Sequence, residues 1–374
     1  MKTESVGMNI PSLSVGEAVE LMTEVYVSAI NTGMSFRKLF PTFLWGPAGV
    51  GKSGGIYKLA DNIDRYTGKK TKVTEARLIT FTPSDLVGIP YKDQQSKFTV
   101  WLKPKIFDMD PDDGIVNILF LDELNCAAPA VLAAAYQICY DRCIGEHRFP
   151  ENCIVVGAGN RVTDMGVTYK MPKPLCNRLQ HFEVRSDYEG WREWAVDHDI
   201  DHRVIAFLGM DNSRLCIEPE STDIAFGTPR SWEAVSNYLS LGIKNERALY
   251  LNIAGVVGNV AAMEFKAFCE GVIDMPSVDD ILEGKCRVKP KSHSVMYALI
   301  SALVCKIKSM ADDSNWLDDD EDFGMRQLNN AVRYVSQLPA DFTELFLTDI
   351  KQISGVGEML KRCEALQLLL AKRR

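Results

Sequence analysis

One short stretch constrains the fold of this chain more than any other: Gly46-Pro47-Ala48-Gly49-Val50-Gly51-Lys52-Ser53. It matches the pattern G-x-x-x-x-G-K-[ST], in which glycines let consecutive backbone N–H groups turn inward around an anion. A short apolar run, Thr42 to Trp45, precedes it, and Ser53 to Asn62 has the pattern of a helix. The stretch therefore predicts a strand, a phosphate-binding loop and a helix whose positive N-terminus faces the phosphates.

The residues within this loop have distinct predicted roles. Lys52 is expected to reach the β- and γ-phosphates of a nucleotide, and the Ser53 hydroxyl to complete the shell of a Mg²⁺ ion. The rest of the cradle is backbone from Gly46, Pro47, Ala48, Gly49, Val50 and Gly51. The pattern therefore predicts ATP and Mg²⁺ as ligands. The alternative, a chance glycine-rich turn, does not explain why a strand and a helix flank the loop.

A second motif lies at the end of the apolar run Val116 to Leu121, which continues into Asp122 and Glu123. A nearly unbroken apolar run is typical of a parallel strand that is buried on both faces. Ligands of α/β sheets bind at the carboxyl ends of such strands. Asp122 is expected to hold Mg²⁺ through water, and Glu123 to orient and deprotonate an attacking water. The alternative is an ordinary strand end with two solvated acids.

Two further polar residues follow predicted strand or helix ends. The apolar run Cys153 to Gly159 ends on Asn160, whose amide could bind both a nucleophilic water and a γ-phosphate oxygen. A lone Asn there is more often a turn residue, but the two preceding motifs favour the functional role. Arg178 follows a helical segment and precedes a short strand, His181 to Val184. Alone, an Arg at a helix end is usually a surface residue.

The remaining pattern predicts the other elements. A helix with a capping box runs from Ser14 to Ile30, with Glu17 three residues after Ser14. Arg77 to Phe81 is predicted as a strand. Lys97 to Phe107 is predicted as a hairpin, with Phe98, Val100 and Leu102 on one face and Trp101 on the other. From residue 187 onward the pattern becomes helical.

Composition limits the class of protein. A chain of 374 residues is expected to form about two or three packed units. Its net charge of −8 argues against a surface built mainly for nucleic acid. The ten cysteines contain no C-x₂-C pair, which predicts reduced thiols in a cytoplasmic protein rather than a disulfide framework or a zinc site. No leader pattern and no membrane-spanning run are expected.

Taken in order, these motifs resemble those of AAA+ ATPases, and most closely the MoxR-type group. Besides the motifs above, Pro229-Arg230 and the segment Met275 to Gly284 match that group, and the resemblance covers roughly residues 10 to 305. It implies an α/β AAA+ P-loop core with a parallel five-stranded sheet. It also implies three domains: a nucleotide-binding domain at 1–186, a helical lid at 187–272 and a C-terminal helical extension at 273–374.

The resemblance also implies residue roles. Asn160 would be sensor 1, Arg230 would be sensor 2 from the lid, and Arg178 would be an arginine finger that reaches the nucleotide of the neighbouring subunit. The insert at 90–107 would face the substrate side. Its apolar side chains either pack on the core, which is the commoner fate, or contact a partner. Three positions depart from the family pattern: Cys126 replaces Arg, Leu179 replaces Phe and Arg161 replaces Pro. The first departure puts any interface role of that Arg in doubt.

The function implied by the resemblance is ATP-driven remodelling or activation of a protein partner by a ring, most simply a hexamer. Relatives commonly work with a protein that carries a von Willebrand factor A domain. An AAA+ motor or loader directed at nucleic acid is the alternative. A third possibility is a module that senses nucleotide without turnover, but Glu123 and Arg178 argue against it.

Overall fold

The structure is a computed structural model that describes residues 9–92, 98–161, 164, 169, 171–220, 222–312, 316 and 323–372. The chain divides into two compact units, Met1–Asp187 and Tyr188–Arg374. The first unit contains both phosphate-site motifs. The second contains the residues that follow the last strand of the sheet.

The first unit combines strands and helices in alternation. Its strands are β1 (Ser12–Ser14), β2 (Thr42–Trp45), β3 (Lys70–Arg77), β4 (Ile89–Lys92), β5 (Thr99–Leu102), β6 (Ile115–Asp122), β7 (Cys143–Ile144), β8 (His147–Arg148), β9 (Cys153–Gly159) and β10 (Gln180–Arg185). Its helices are α1 (Val15–Asn31), α2 (Lys52–Thr67), α3 (Pro83–Val87), α4 (Pro129–Asp141) and α5 (Lys173–Cys176). Short 3₁₀ turns lie at Phe36–Lys38, Leu78–Thr80, Lys105–Phe107 and Leu124–Cys126.

Six of these strands form one parallel sheet in the order β1-β10-β2-β9-β6-β3. This confirms the predicted parallel α/β core. The sheet has one strand more than the predicted five, because Ser12–Ser14 pairs with β10 at the edge. Three residues with two serines carry no strand periodicity, so the sequence did not reveal this strand. The central strands β2, β9 and β6 bring their carboxyl ends to the same edge.

The apolar runs of the central strands are buried on both faces. On β6, Ile118 and Phe120 pack into a cluster with α1 and α2. The alternate residues Leu119 and Leu121 pack into a second cluster with α4. Side chains of successive strand residues point to opposite faces, so a continuous apolar run serves two cores. The sheet is therefore the middle of three layers.

Two predicted boundaries were wrong. The strand predicted at Arg77–Phe81 is Lys70–Arg77, and Leu78–Thr80 forms a 3₁₀ turn. This strand lies at the sheet edge and is largely half-exposed. Its many polar residues therefore give no alternation of apolar and polar side chains that would mark a strand. The hairpin consists of β4 and β5, so its first strand begins at Ile89, before the predicted start. Lys97, the predicted start of that hairpin, lies outside the described residues.

The second unit is helical in its described residues. Its helices are α6 (Tyr188–Asp197), α7 (His202–Met210), α8 (Pro229–Ser240), α9 (Glu246–Val257), α10 (Asn259–Gly271), α11 (Val278–Leu282), α12 (His293–Ala311), α13 (Phe323–Val335), α14 (Ala340–Gln352), α15 (Val356–Arg362) and α16 (Glu364–Lys372). One apolar cluster includes Phe265 and Phe268 as well as Leu299 and Phe346. The predicted division into a lid and an extension at residue 272 stays a prediction.

The helix α12 is long and apolar enough to span a membrane by length and composition alone, contrary to the expectation that no run would be. It is the one helix of the described residues that meets this test, and 61% of its apolar window is buried. Residues such as Leu299, Leu303 and Val304 are fully buried in the core of the second unit. A central core helix has this composition because it is covered on most sides.

Candidate functional site

The loop Gly46–Ser53 lies between β2 and α2, as predicted. Gly49 and Gly51 adopt positive φ angles of 78° and 104°, a region that favours glycine. A Cβ at Gly46 would lie 2.6 Å from the carbonyl oxygen of Val184 on the neighbouring strand. The local backbone therefore favours glycine at Gly46, Gly49 and Gly51. The resulting turn places the N-terminus of the sixteen-residue α2 at the loop.

The side chain of Lys52 folds back over the loop and is only 9% exposed. Its Nζ donates to the carbonyl oxygens of Gly46 at 2.6 Å and Pro47 at 2.9 Å, and lies 3.5 Å from Oδ1 of Asn160. Burial lowers the pKa of the ammonium to about 8, although the Asp122 carboxylate partly opposes this. Neutral oxygens hold this buried cation, so it gains strongly from a nearby anion.

The two acids lie at the tip of β6, beside β9. Asp122 is buried, and its Oδ1 accepts the backbone N–H of Glu123 at 2.9 Å. Its Oδ2 lies 3.6 Å from Nε of Arg77, at the end of β3. Glu123 has a positive φ of 53°. Such a conformation costs a non-glycine residue about 1–3 kcal/mol and concentrates at functional sites, which agrees with the predicted role of Glu123.

The tip of β9 places Asn160 between the P-loop and the turn that follows the acids. The backbone N–H of Gly46 donates to the carbonyl oxygen of Gly159 at 3.1 Å, which joins the loop to this strand end. Oδ1 of Asn160 lies 3.5 Å from Nζ of Lys52, and Nδ2 of Asn160 lies 3.7 Å from Sγ of Cys126. The structure therefore brings together residues from three predicted motifs that are far apart in sequence.

Arg178 lies elsewhere in the first unit. Its guanidinium carbon lies 3.8 Å from the ring centroid of Tyr140 and 5.3 Å from that of Tyr136, both on α4. Its Nη1 donates to the carbonyl oxygen of Pro174 at 3.2 Å. None of the salt bridges within the described residues involves Arg178. These contacts leave its role as an arginine finger a prediction.

Arg230 lies in the second unit, at the second residue of α8, and is exposed. The helix begins with a capping box in which Thr228 and Ser231 satisfy each other's backbone N–H groups. The local structure of Arg230 is therefore well defined. Its role as sensor 2 stays a prediction.

The residues of the first unit fit a Mg²⁺ ion that is shared with phosphates. Ser53 supplies a hydroxyl at the start of α2, and Asp122 supplies a carboxylate at the tip of β6. Mg²⁺ prefers oxygen ligands and is usually held by one or two carboxylates together with substrate phosphates and water. No group of three or more His, Cys, Asp or Glu side chains in the described residues forms a complete metal cage. Ser53 and Asp122 would hold the ion, which would neutralise phosphate charge.

Sequence reasoning missed two residues at this site. Asn125 is 1% exposed and hydrogen-bonds to the backbone of Asn160. Arg77 pairs with Asp122 across the register of β3 and β6. Asn125 follows the acids by only two residues, and a buried polar residue there is a usable signal. Arg77 could not be found, because its strand was placed too late in the chain.

Comparisons with known proteins find structural likenesses only. No family model matches the chain, and no curated protein matches it. A mutant of Thermotoga maritima RuvB is 15% identical over 91% of this chain and 91% of its own, with a TM-score of 0.33. C. elegans PCH-2 is 12% identical over 79% of this chain and 71% of its own, with a TM-score of 0.35. At these identities and scores, neither likeness identifies a substrate or a partner.

Proposed function

We propose that this chain is an AAA+ ATPase of the MoxR type, which hydrolyses ATP with Mg²⁺ in a ring assembly to remodel or activate a protein partner. The observation that carries the ATPase proposal is the buried Lys52 ammonium. It is held by neutral oxygens of the P-loop, next to a strand tip that bears Asp122 and Glu123. A cation in this setting, at a helix N-terminus, is suited to a polyphosphate.

Each side chain then has a separate chemical task. Lys52 would exchange its carbonyl partners for β- and γ-phosphate oxygens, and Ser53 and Asp122 would hold Mg²⁺, which would neutralise phosphate charge. Glu123 accepts a proton from the attacking water, which Asn160 helps to orient. Hydrolysis of this kind depends mainly on positioning and on stabilisation of charge. Asn160 lies 3.5 Å from the Lys52 ammonium, so the orienting amide and the phosphate-binding cation are already adjacent.

Binding of a fluorescent ATP analogue tests the nucleotide site. We expect Lys52→Ala to weaken binding by about 100-fold or more, since the loop loses its one side-chain cation. Lys58→Ala is the matched control, because Lys58 is an exposed lysine on the same helix. Its affinity should equal that of the wild type. Equal affinity of the Lys52→Ala variant and the wild type would contradict the site.

The β4–β5 hairpin supports a protein as the partner. Its register places Ile89, Tyr91, Val100 and Leu102 on one face, with Trp101 on the other. Phe98 directly precedes β5 and is expected on the first face by strand alternation. Phe98 is 72% exposed and Ile89 is 66% exposed, so this face is not packed on the core. An exposed apolar face of this kind favours a protein contact. The partner proposed is a protein with a von Willebrand factor A domain, and the cytoplasm is the proposed location.

Lysines beside the hairpin favour the second candidate function, a motor or loader that acts on nucleic acid. Lys92 and Lys105 are exposed and can contact phosphates. The overall charge of −8 opposes such binding. ATPase rates with added single- and double-stranded DNA and RNA distinguish the two functions, over about 50 to 200 mM salt. We expect DNA and RNA not to stimulate the ATPase rate. Strong stimulation that falls steeply with salt would favour the function directed at nucleic acid.

The hairpin itself is tested by Phe98→Ser, with Thr99→Ala on the opposite face as the control. We expect both variants to retain basal ATP turnover. Phe98→Ser alone should lose the stimulation of ATP turnover by the proposed partner, a protein with a von Willebrand factor A domain. Retention of that stimulation would show that this face does not contact the partner.

A further inference from the structure

Asn125 is a buried amide to which the sequence analysis assigns no role. It lies in the 3₁₀ turn Leu124–Cys126, directly after Glu123, and is 1% exposed. A side-chain amide so deeply buried must satisfy its donor and acceptor within the protein. The hydrogen bonds of this residue therefore indicate what it holds.

Both ends of the Asn125 amide bind the backbone of one residue, Asn160. Its Nδ2 donates to the carbonyl oxygen of Asn160 at 2.8 Å, and its Oδ1 accepts the N–H of Asn160 at 3.1 Å. The backbone carbonyl oxygen of Asn125 accepts the N–H of Tyr169 at 2.7 Å. The pairing resembles a rung between two strands, although β6 has already ended at Asp122. It continues the connection between the tips of β6 and β9.

The neighbouring Gly159 leaves room for this pairing. A Cβ at that position would lie 2.1 Å from Oδ1 of Asn125 and 2.8 Å from its Cγ. Any side chain there would displace the amide. On its other side, the carbonyl oxygen of Gly159 accepts the N–H of Gly46 from the P-loop. The tip of β9 is therefore fixed by the P-loop on one flank and by Asn125 on the other.

We propose that Asn125 is a positioning residue that holds Asn160 beside Lys52, and so sets the rate of ATP hydrolysis rather than the affinity for ATP. This inference rests on the proposed ATPase function. With its backbone fixed, Asn160 keeps its Oδ1 3.5 Å from Nζ of Lys52, and its Nδ2 faces Sγ of Cys126. Release of the backbone would let the amide leave the attacking water, while the P-loop would remain intact.

The test is a double-mutant cycle between Asn125→Asp and Asn160→Ala. The Asp carboxylate still accepts the N–H of Asn160, but it places an acceptor against the carbonyl oxygen that Nδ2 now binds. We expect kcat to fall about 10- to 100-fold and KM to change less than about threefold. In the Asn160→Ala background, Asn125→Asp should cause no further loss of kcat.

The matched control is Asn117→Asp. Like Asn125, Asn117 is a buried Asn, 3% exposed, but it lies within β6. Its Nδ2 donates to the carbonyl oxygen of Asp110 at 2.7 Å. This variant should lower the melting temperature without changing kcat. If Asn125→Asp does not fold, Asn125→Ser takes its place in the same cycle, because the smaller hydroxyl keeps one hydrogen-bonding group.

The outcomes separate this inference from the function on which it rests. A wild type without ATP turnover would overturn both. If the wild type turns over ATP but the double variant loses kcat by the product of the two single losses, the positioning role alone is overturned, because independent sites add in free energy. An unchanged kcat in both Asn125 variants would do the same. Losses that do not multiply, with a stable KM, support it.

Discussion

At the scale of single residues, the depressed pKa of Lys52 has a measurable consequence for nucleotide binding. Burial lowers the pKa of this ammonium to about 8 in the free protein, and bound phosphates must raise it again. Binding therefore takes up protons near pH 8. Above that pH the affinity for ATP should fall by up to about tenfold per pH unit, because the neutral amine must first be protonated.

Calorimetry in two buffers of different ionisation enthalpy measures this proton uptake directly. Lys52→Arg is the control, because a guanidinium stays charged throughout this range. The variant should bind ATP with an affinity that does not depend on pH between about 7 and 9. A wild-type affinity that is equally flat over that range would show that Lys52 is already fully protonated in the free protein.

The residues that the sequence predicted at the site share one property: each follows a strand whose apolar run is unmistakable. Lys52 and Asn160 come after β2 and β9, Asp122 is the last residue of β6, and the carboxyl ends of parallel strands meet at one edge. The contact between Arg178 and Tyr140 could not be predicted, because it depends on how α4 and α5 face each other. Pairwise side-chain geometry of this kind has no signature in a linear pattern.

At the scale of secondary-structure elements, the start of α8 allows a test of local stability. Thr228 and Ser231 form a reciprocal capping box ahead of Arg230. Thr228→Ala should lower the free energy of unfolding by about 1 kcal/mol, because a backbone N–H at the helix start loses its acceptor. Urea denaturation followed by circular dichroism measures the change.

Thr228→Ser is the control for this helix start, since its hydroxyl can accept the same N–H. It should restore most of the loss. Equal loss in the Ala and Ser variants would attribute the effect to the methyl group of Thr228 rather than to the cap.

Among the elements, the sequence predicted buried strands and capped helices well and edge strands poorly. The helix at 14–30 is α1, with Ser14 as its N-cap and the predicted capping box with Glu17. By contrast, β1 and β3 lie at the two edges of the sheet. An edge strand is paired on one side only, so polar residues are tolerated and the apolar pattern that marks a strand is lost.

At the scale of the whole molecule, the assembly is the main prediction that remains open. Arg178 rests on Tyr140 and Tyr136, and the finger role requires it to complete the site of a neighbouring chain. Mixing Arg178→Ala subunits with Lys52→Ala subunits should therefore restore part of the activity. Each variant spoils a different half of the shared site.

The mixture must be shown to form mixed rings, for instance by native mass spectrometry of subunits that differ in mass. Recovery should be greatest near equal proportions, because the fraction of interfaces that combine a normal Lys52 with a normal Arg178 is largest there. If mixed rings form but show no recovery at any ratio, Arg178 does not act in the neighbouring subunit.

In the proposed function, this chain hydrolyses ATP at the tips of β2, β9 and β6. The most direct measurement is the steady-state release of phosphate by the wild type and by Glu123→Gln, with retention of ATP measured in parallel. Glu151→Gln is the control, because Glu151 is an exposed acid that pairs with Arg37. We predict that the wild type and this control turn over ATP, and that Glu123→Gln binds ATP but is slower by about 100-fold or more. Hydrolysis by Glu123→Gln at the wild-type rate would contradict the role of Glu123 as the base and the location of the site at these strand tips.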